Sequence, residues 1–136
     1  MDVIIDANVL FSILIKTGIT SGLIFDERLK LYAPGFLFEE LEKYKSELLD
    51  RSSLPEQYFF PFLNVLKRRI TIIPDADFSD WLQKAIEISP DKKDHVYFAL
   101  ALKLNCGIWT QDKAAKQKQD QVLIYDTKDI LAFLGY

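Results

Sequence analysis

Four acidic residues spread along the chain carry the chemistry this sequence can offer. Asp6 follows the apolar run Val3–Ile5, and Asp112 follows "GIWTQ". Ending an apolar strand on a carboxylate needs a reason, because a buried charge costs several kcal/mol unless it is paired. Either Asp6 caps the next helix or a cation belongs beside it. The other two acids fall in segments with helical spacing. In "FLFEELEKYKSELL", Leu37, Leu41, Tyr44 and Leu48 recur at spacings of 4, 3 and 4 and read as a core stripe. At about 100° per residue, Glu39 lies nearly opposite that stripe and Glu40 about 70° from its centre, on the edge. Glu39 is then a solvated charge, while Glu40 either reaches inward or serves as a surface partner of Lys43 or Tyr44. In "DKKDHVYFALALKLN", Phe98, Ala101 and Asn105 share a face with Asp94 and read as buried. Lys92, Val96, Ala99 and Lys103 mark the exposed face, and Asp91 is the natural N-cap, which frees Asp94 from that role.

Brought to one place, Asp6, Glu40, Asp94 and Asp112 would repel one another strongly. A hard divalent cation resolves that repulsion. Mg²⁺ takes oxygen ligands, keeps several waters, and is typically held by one or two carboxylates plus substrate phosphate oxygens. It activates water and stabilises charge on a transferring phosphoryl group, so no protein nucleophile is required. None is evident. The lone Cys106 and lone His95 cannot build a closed zinc site, which takes about four such ligands. On one helix they stand roughly 16 Å apart along the axis, too far for a nucleophile–base pair. The five glycines are scattered and form no phosphate loop.

The elements that must position these acids alternate. Strands are expected at Val3–Ile5, Leu31–Ala33, Ile70–Ile73, Gly107–Thr110 and Val122–Tyr125. Helices are expected over Asn8–Ile15, from Thr20 or Ser21 towards Leu29, and over Phe36–Leu49 after the break at Pro34 and Gly35. A further helix, capped by Ser52 or Ser53, reaches Arg69, and Ser79 caps one running to Ile88. Asp91 caps one running to Leu104, and Asp126 or Thr127 caps the last. Such alternation implies an α/β fold with a parallel sheet covered on both faces. Sites in these sheets form beyond the carboxyl ends of the strands, where Asp6 and Asp112 both fall. Taken singly, each of those two is better explained as a helix cap, since Asp is among the commonest caps.

Composition bounds the rest. A chain of 136 residues, 49% hydrophobic and 13% aromatic, can build one domain with a proper core. No apolar run approaches the ~20 residues of a membrane helix, and no secretory leader is visible. One cysteine permits no internal disulfide and fits a cytoplasmic setting. A net charge of −3 argues against broad electrostatic binding of nucleic acid but leaves room for a local basic patch. The segment "LPEQYFFPFLNVL", with Tyr58, Phe59, Phe60, Phe62, Leu63 and Leu66, is apolar around more of its circumference than one core face needs, so a homodimer is expected.

In its ordered motifs the sequence resembles the PIN-domain ribonucleases. The match consists of "DANVL" after the first strand, "FEELEK", "DKKDHVYFALAL" and "TQDK", in that order and over nearly the whole chain. The resemblance implies a three-layer α/β/α sandwich with a central parallel sheet of about five strands, and Mg²⁺- or Mn²⁺-dependent hydrolysis of RNA phosphodiester bonds. The family's four acids fall on Asp6, Glu40, Asp94 and Asp112, which are thereby implied as catalytic residues and metal ligands. Its small polar residue near the first acid falls on Asn8, its Thr or Ser before the last acid on Thr110, and an extra acid of some members on Asp91. Many small prokaryotic members similar to the VapC group are toxins of toxin–antitoxin pairs, which adds an antitoxin protein to RNA as an implied partner.

Each of these residues has a plainer reading too. Asn8 suits a turn or cap, Thr110 suits strand propensity, and His95 suits a helix flank. Lys113, Lys116 and Lys118, like Lys67, Arg68 and Arg69, either bind phosphate or form solvated helix faces. Two other functional classes compete. A non-catalytic PIN-like interaction module would lack one of the four acids, and all are present. Aspartyl-phosphate chemistry wants Asp-x-Asp after the first strand, where this chain has Asn8.

Overall fold

Val3, Ile4 and Ile5 are wholly buried, so strand β1 (Asp2–Ile5) is covered on both faces, as a central strand of a parallel sheet must be. The computed structural model describes residues 1–16 and 18–136, with every side chain in those ranges except that of Ile19. Strands β2 (Lys30–Pro34), β3 (Ile70–Ile73), β4 (Gly107–Trp109) and β5 (Ile124–Tyr125) complete a five-stranded parallel sheet of order β3-β2-β1-β4-β5. Helices α1 (Ala7–Ile15), α2 (Ile19–Leu23), α3 (Phe36–Arg51), α4 (Glu56–Arg69), α5 (Leu82–Ile88), α6 (His95–Leu104), α7 (Lys113–Gln117) and α8 (Thr127–Leu134) connect and cover it. The result is the expected three-layer α/β/α sandwich. Helix α1 packs on α3, while α6 crosses β1, β2 and β4 and packs against α5.

The strand order creates the site. From β1 the chain moves outward through β2 to β3, then returns to place β4 on the other side of β1. The connections therefore leave β1 and β4 in opposite directions and open a crevice at their carboxyl ends, the topological switch point where such sheets bind ligands. Register aligns Ile5 with Trp109, so the residues that follow these strands meet side by side.

Several local expectations are corrected. Neither Ser52 nor Ser53 caps α4; Pro55 precedes it, and the Ser52 hydroxyl instead donates to the Leu14 carbonyl at 2.7 Å. Ser79 lies inside a 3₁₀ segment, Asp75–Trp81, that precedes α5. The helix expected towards Leu29 ends at Leu23, and Pro34 closes β2 rather than breaking before it. Ala99, read as exposed, is fully buried because α6 is covered almost all round, whereas Asn105, read as buried, is the exposed left-handed cap of that helix. Tyr44, on the α3 core stripe, is 36% exposed. Asp91 and Asp126 cap as expected, accepting from the backbone of Lys93 and Asp129.

Gly107 opens β4 where it packs directly on β5. A Cβ there would collide with the Tyr125 ring and stand 2.9 Å from the Leu123 carbonyl oxygen, which itself accepts the Ile108 amide. We expect Gly107→Ala to destabilise the fold by about 1–3 kcal/mol in chemical denaturation, the usual cost of overpacking.

Candidate active site at the sheet switch point

Asp6 is 8% exposed at the carboxyl end of β1, and its amide donates to the Trp109 carbonyl at 3.0 Å, continuing the β1–β4 ladder by one bond. Opposite it, the Thr110 hydroxyl donates to Asp6 Oδ2 at 2.6 Å. The same hydroxyl accepts from Asn8 Nδ2 and from the Asp112 amide, both at 3.1 Å. One oxygen thus ties together the ends of both strands and the first turn of α1. Asn8 Oδ1 accepts from the Gln111 amide at 3.3 Å, and Ser12 reaches Gln111 Oε1 at the same distance. Asp112 caps α7, accepting from Ala114 and Ala115, so its cap role and its position at the site coexist.

The two helical acids enter from the sides. Glu40, half-buried on α3, accepts from the Tyr97 hydroxyl at 3.1 Å; Glu39 is exposed. Asp94 ends a 3₁₀ turn, Lys92–Asp94, that leads into α6, and its Oδ2 is buried with no hydrogen-bond partner among the described residues. Asp6, Asn8, Glu40, Asp91, Asp94 and Asp112 all line one open cleft of about 450 Å³, with Thr110 beneath it. All seven residues singled out in the sequence are therefore brought together.

The electrostatics follow from this crowding. Burial raises the Asp6 carboxyl above its ordinary value, with Asp112 adding to the rise. Burial also raises Glu40, and Asp6 adds to it. Asp94 is pushed up from 3.8 to about 8, first by burial, then by its approach to the Asp112 carboxyl and the charges of Asp6, Asp112 and Asp91. Burial and the nearby Glu40 push the Tyr97 hydroxyl up, which keeps it a donor.

These features fit a hard divalent cation. The donors are carboxylate oxygens, their charged forms are disfavoured by one another, and one buried oxygen has no protein partner. As they stand the side chains do not close into a finished cage: among the described residues no three His, Cys or acidic groups are already grouped to hold an ion. Uncompensated carboxylates are expected to hold apart, and Mg²⁺ needs only one or two of them besides water and substrate oxygens.

The sequence reading missed Tyr97, Gln111 and Ser12. Tyr97 lies three residues after Asp94, on its face of the helix, and that spacing was the available signal. Gln111 and Ser12 carried none, because their partnership spans 99 residues. Lys116 is committed to Asp126 and Asp129 at 3.1 and 2.6 Å, a structural tie rather than a free phosphate binder.

A parallel sheet with an acidic cleft at its switch point defines a class, and sequence comparison agrees: residues 4–122 match the PIN domain model, and the chain belongs to that family. PIN domains are generally nucleases. No curated protein matches the sequence significantly. Among solved structures, VapBC2 from Rickettsia felis bound to a DNA fragment from their promoter is similar at a TM-score of 0.67 and 12% identity. The match covers 93% of this chain and 98% of that one, and shows a shared fold.

The Thr110 hydroxyl has three partners in a part-buried setting. Thr110→Val strands a carboxylate oxygen and two donors at once, and we expect a loss of about 1–3 kcal/mol or more. Thr110→Ser, which keeps the hydroxyl, is expected to recover most of it. Urea unfolding of the three proteins checks this; equal stability of the valine variant would remove the hydroxyl from its organising role.

Proposed function

We propose that this chain is a single PIN-like nuclease domain that hydrolyses RNA phosphodiester bonds with Mg²⁺ or Mn²⁺. The observation that carries the reading is the orphaned, buried Oδ2 of Asp94 in a cleft walled by Asp6, Glu40 and Asp112. Asp6, Asp94 and Asp112, with Glu40, would hold the cation. When bound, such a cation supplies an activated water and stabilises charge on the phosphoryl group. The protein's own part is positional. Thr110 sets the rotation of Asp6, Tyr97 fixes Glu40, and the α7 amides hold Asp112 through Oδ1. Asn8 braces the β4 end through Thr110 and Gln111, and Asp91 anchors the turn that presents Asp94.

The ordered sequence motifs, on a fold shared with VapBC2, favour a role as the toxin of a toxin–antitoxin pair with an antitoxin protein as partner, and the single cysteine fits a cytoplasmic setting. No described helix is long and apolar enough to cross a membrane. The non-catalytic module finds no support in the site, since all four acids stand in the cleft.

The test uses the sign of the Asp94 shift. Unfolded chain ionises Asp94 near 3.8 and folded chain near 8. In chelator, wild type is expected to lose stability progressively as pH rises across that window, because the unfolded chain releases the Asp94 proton that the folded chain retains. Asp94→Asn removes much of that loss, melts higher than wild type in chelator at pH 8, gains less from Mn²⁺, and does not cleave RNA. A variant that is less stable in chelator yet still cleaves would overturn the assignment.

Self-association through α4 belongs to the same proposal. Phe59, Leu63 and Leu66 face the core, while Tyr58, Phe60 and Val65 stay 36–55% exposed. Sedimentation is expected to show a dimer that Phe60→Glu dissociates; a monomer at high concentration would defeat it.

A further inference from the structure

Tyr44 stands one helical turn beyond Glu40, at a core-stripe position, yet it remains 36% exposed. Phe11 of α1 holds it edge-on, with centroids 5.9 Å apart and planes at 68°. The Lys43 ammonium lies 5.3 Å from the ring centroid. Beside the acidic cleft runs a second one of about 340 Å³, lined by Phe36, Glu39, Glu40, Lys43, Tyr44 and Lys93. The two clefts share Glu40 and Lys93 in their walls. Among the described residues neither Lys43 nor Lys93 is ion-paired to a carboxylate, in contrast to Lys116. An aromatic ring on a rigid helix, flanked by two uncommitted ammonium groups, matches a nucleotide: a π-face for the base and charge for its phosphates.

We propose that this second cleft binds the nucleotide adjoining the bond to be cut, with its base stacked on Tyr44 and its flanking phosphates held by Lys43 and Lys93. The inference rests on the ribonuclease reading and specifies it. A base can reach Tyr44 only when it is unpaired and unstacked, so the enzyme selects single-stranded or looped RNA over duplex. Lys43 serves twice: it covers the ring in the free protein and moves to phosphate when a base takes the ring face. Glu39 and Glu40 line the same cleft, so an anion held by charge alone gains little there, whereas a nucleotide adds a stacking face for Tyr44.

Steady-state cleavage of a short unstructured RNA and of the same sequence as duplex, in Mn²⁺, tests this. Wild type is expected to cut the unstructured strand preferentially. Tyr44→Ala is expected to raise KM by about 5- to 150-fold, the effect of losing one stacked base, with kcat nearly unchanged. Tyr44→Phe keeps the stacking face and is expected to restore KM, whereas a role through the hydroxyl would leave it as impaired as Tyr44→Ala. Lys43→Ala is expected to reduce the slope of log affinity against log salt by about 0.7. If wild type cleaves RNA and Tyr44→Ala keeps the wild-type KM, or if duplex is cut equally well, the subsite is wrong and the nuclease stands. If wild type cleaves no RNA in Mn²⁺, the ribonuclease reading fails and this inference with it.

Discussion

The bond from the Thr110 hydroxyl to Asp6 Oδ2, 2.6 Å long, is the interaction on which the site depends. It stabilises a carboxylate that burial would otherwise raise further, and it does so from the strand next door. A hydroxyl can donate once and accept twice. Here all three capacities are used, on Asp6, Asn8 and the Asp112 amide. The two strand ends and the turn after β4 are therefore held by one atom, at the edge where the sheet's connections diverge.

Around that anchor the fold holds a deliberate conflict. Asp6, Glu40 and Asp94 all stand above their ordinary carboxyl values, in each case through burial first; neighbouring acids add to the rise, for Asp94 chiefly through its contact with the Asp112 carboxyl. Groups tuned this way cluster at functional sites. A structure selected for stability alone would not keep four carboxylates around one cleft. The surrounding scaffold tolerates the strain because Val3–Ile5 of β1 and Tyr97–Ala101 of α6 are buried and cannot yield easily. Caps and hydroxyls handle what remains: Asp112 takes α7 amides and Glu40 takes the Tyr97 hydroxyl.

The basic residues sort by the same logic. Lys116 closes the β5–α8 corner against Asp126 and Asp129, and Arg69 holds the carbonyls of Asp26 and Leu29, so both are spent on structure. Among the described residues, Lys43 and Lys93 stand beside the acidic cleft without carboxylate ion pairs. A chain of net charge −3 thus keeps local positive charge beside its acids, which a net figure does not reveal.

By itself the sequence determined whatever depends on near neighbours. The alternation of apolar strands and amphipathic helices specified a parallel sheet, and the positions of Asp6 and Asp112 after strands placed them at its carboxyl edge. Asp91 and Asp126 were legible as caps because their bonds reach only two or three residues. The inward bias of Glu40 was legible from helical phase. Tertiary structure decided the rest, because those contacts join residues that no local pattern relates. The strand order that opens the crevice, the Thr110–Asp6 bond across 104 residues and the Tyr97–Glu40 bond across 57 belong here. So do the burial of Ala99 and the exposure of Tyr44, since a helix's phase says which residues share a face and only its neighbours say what covers that face.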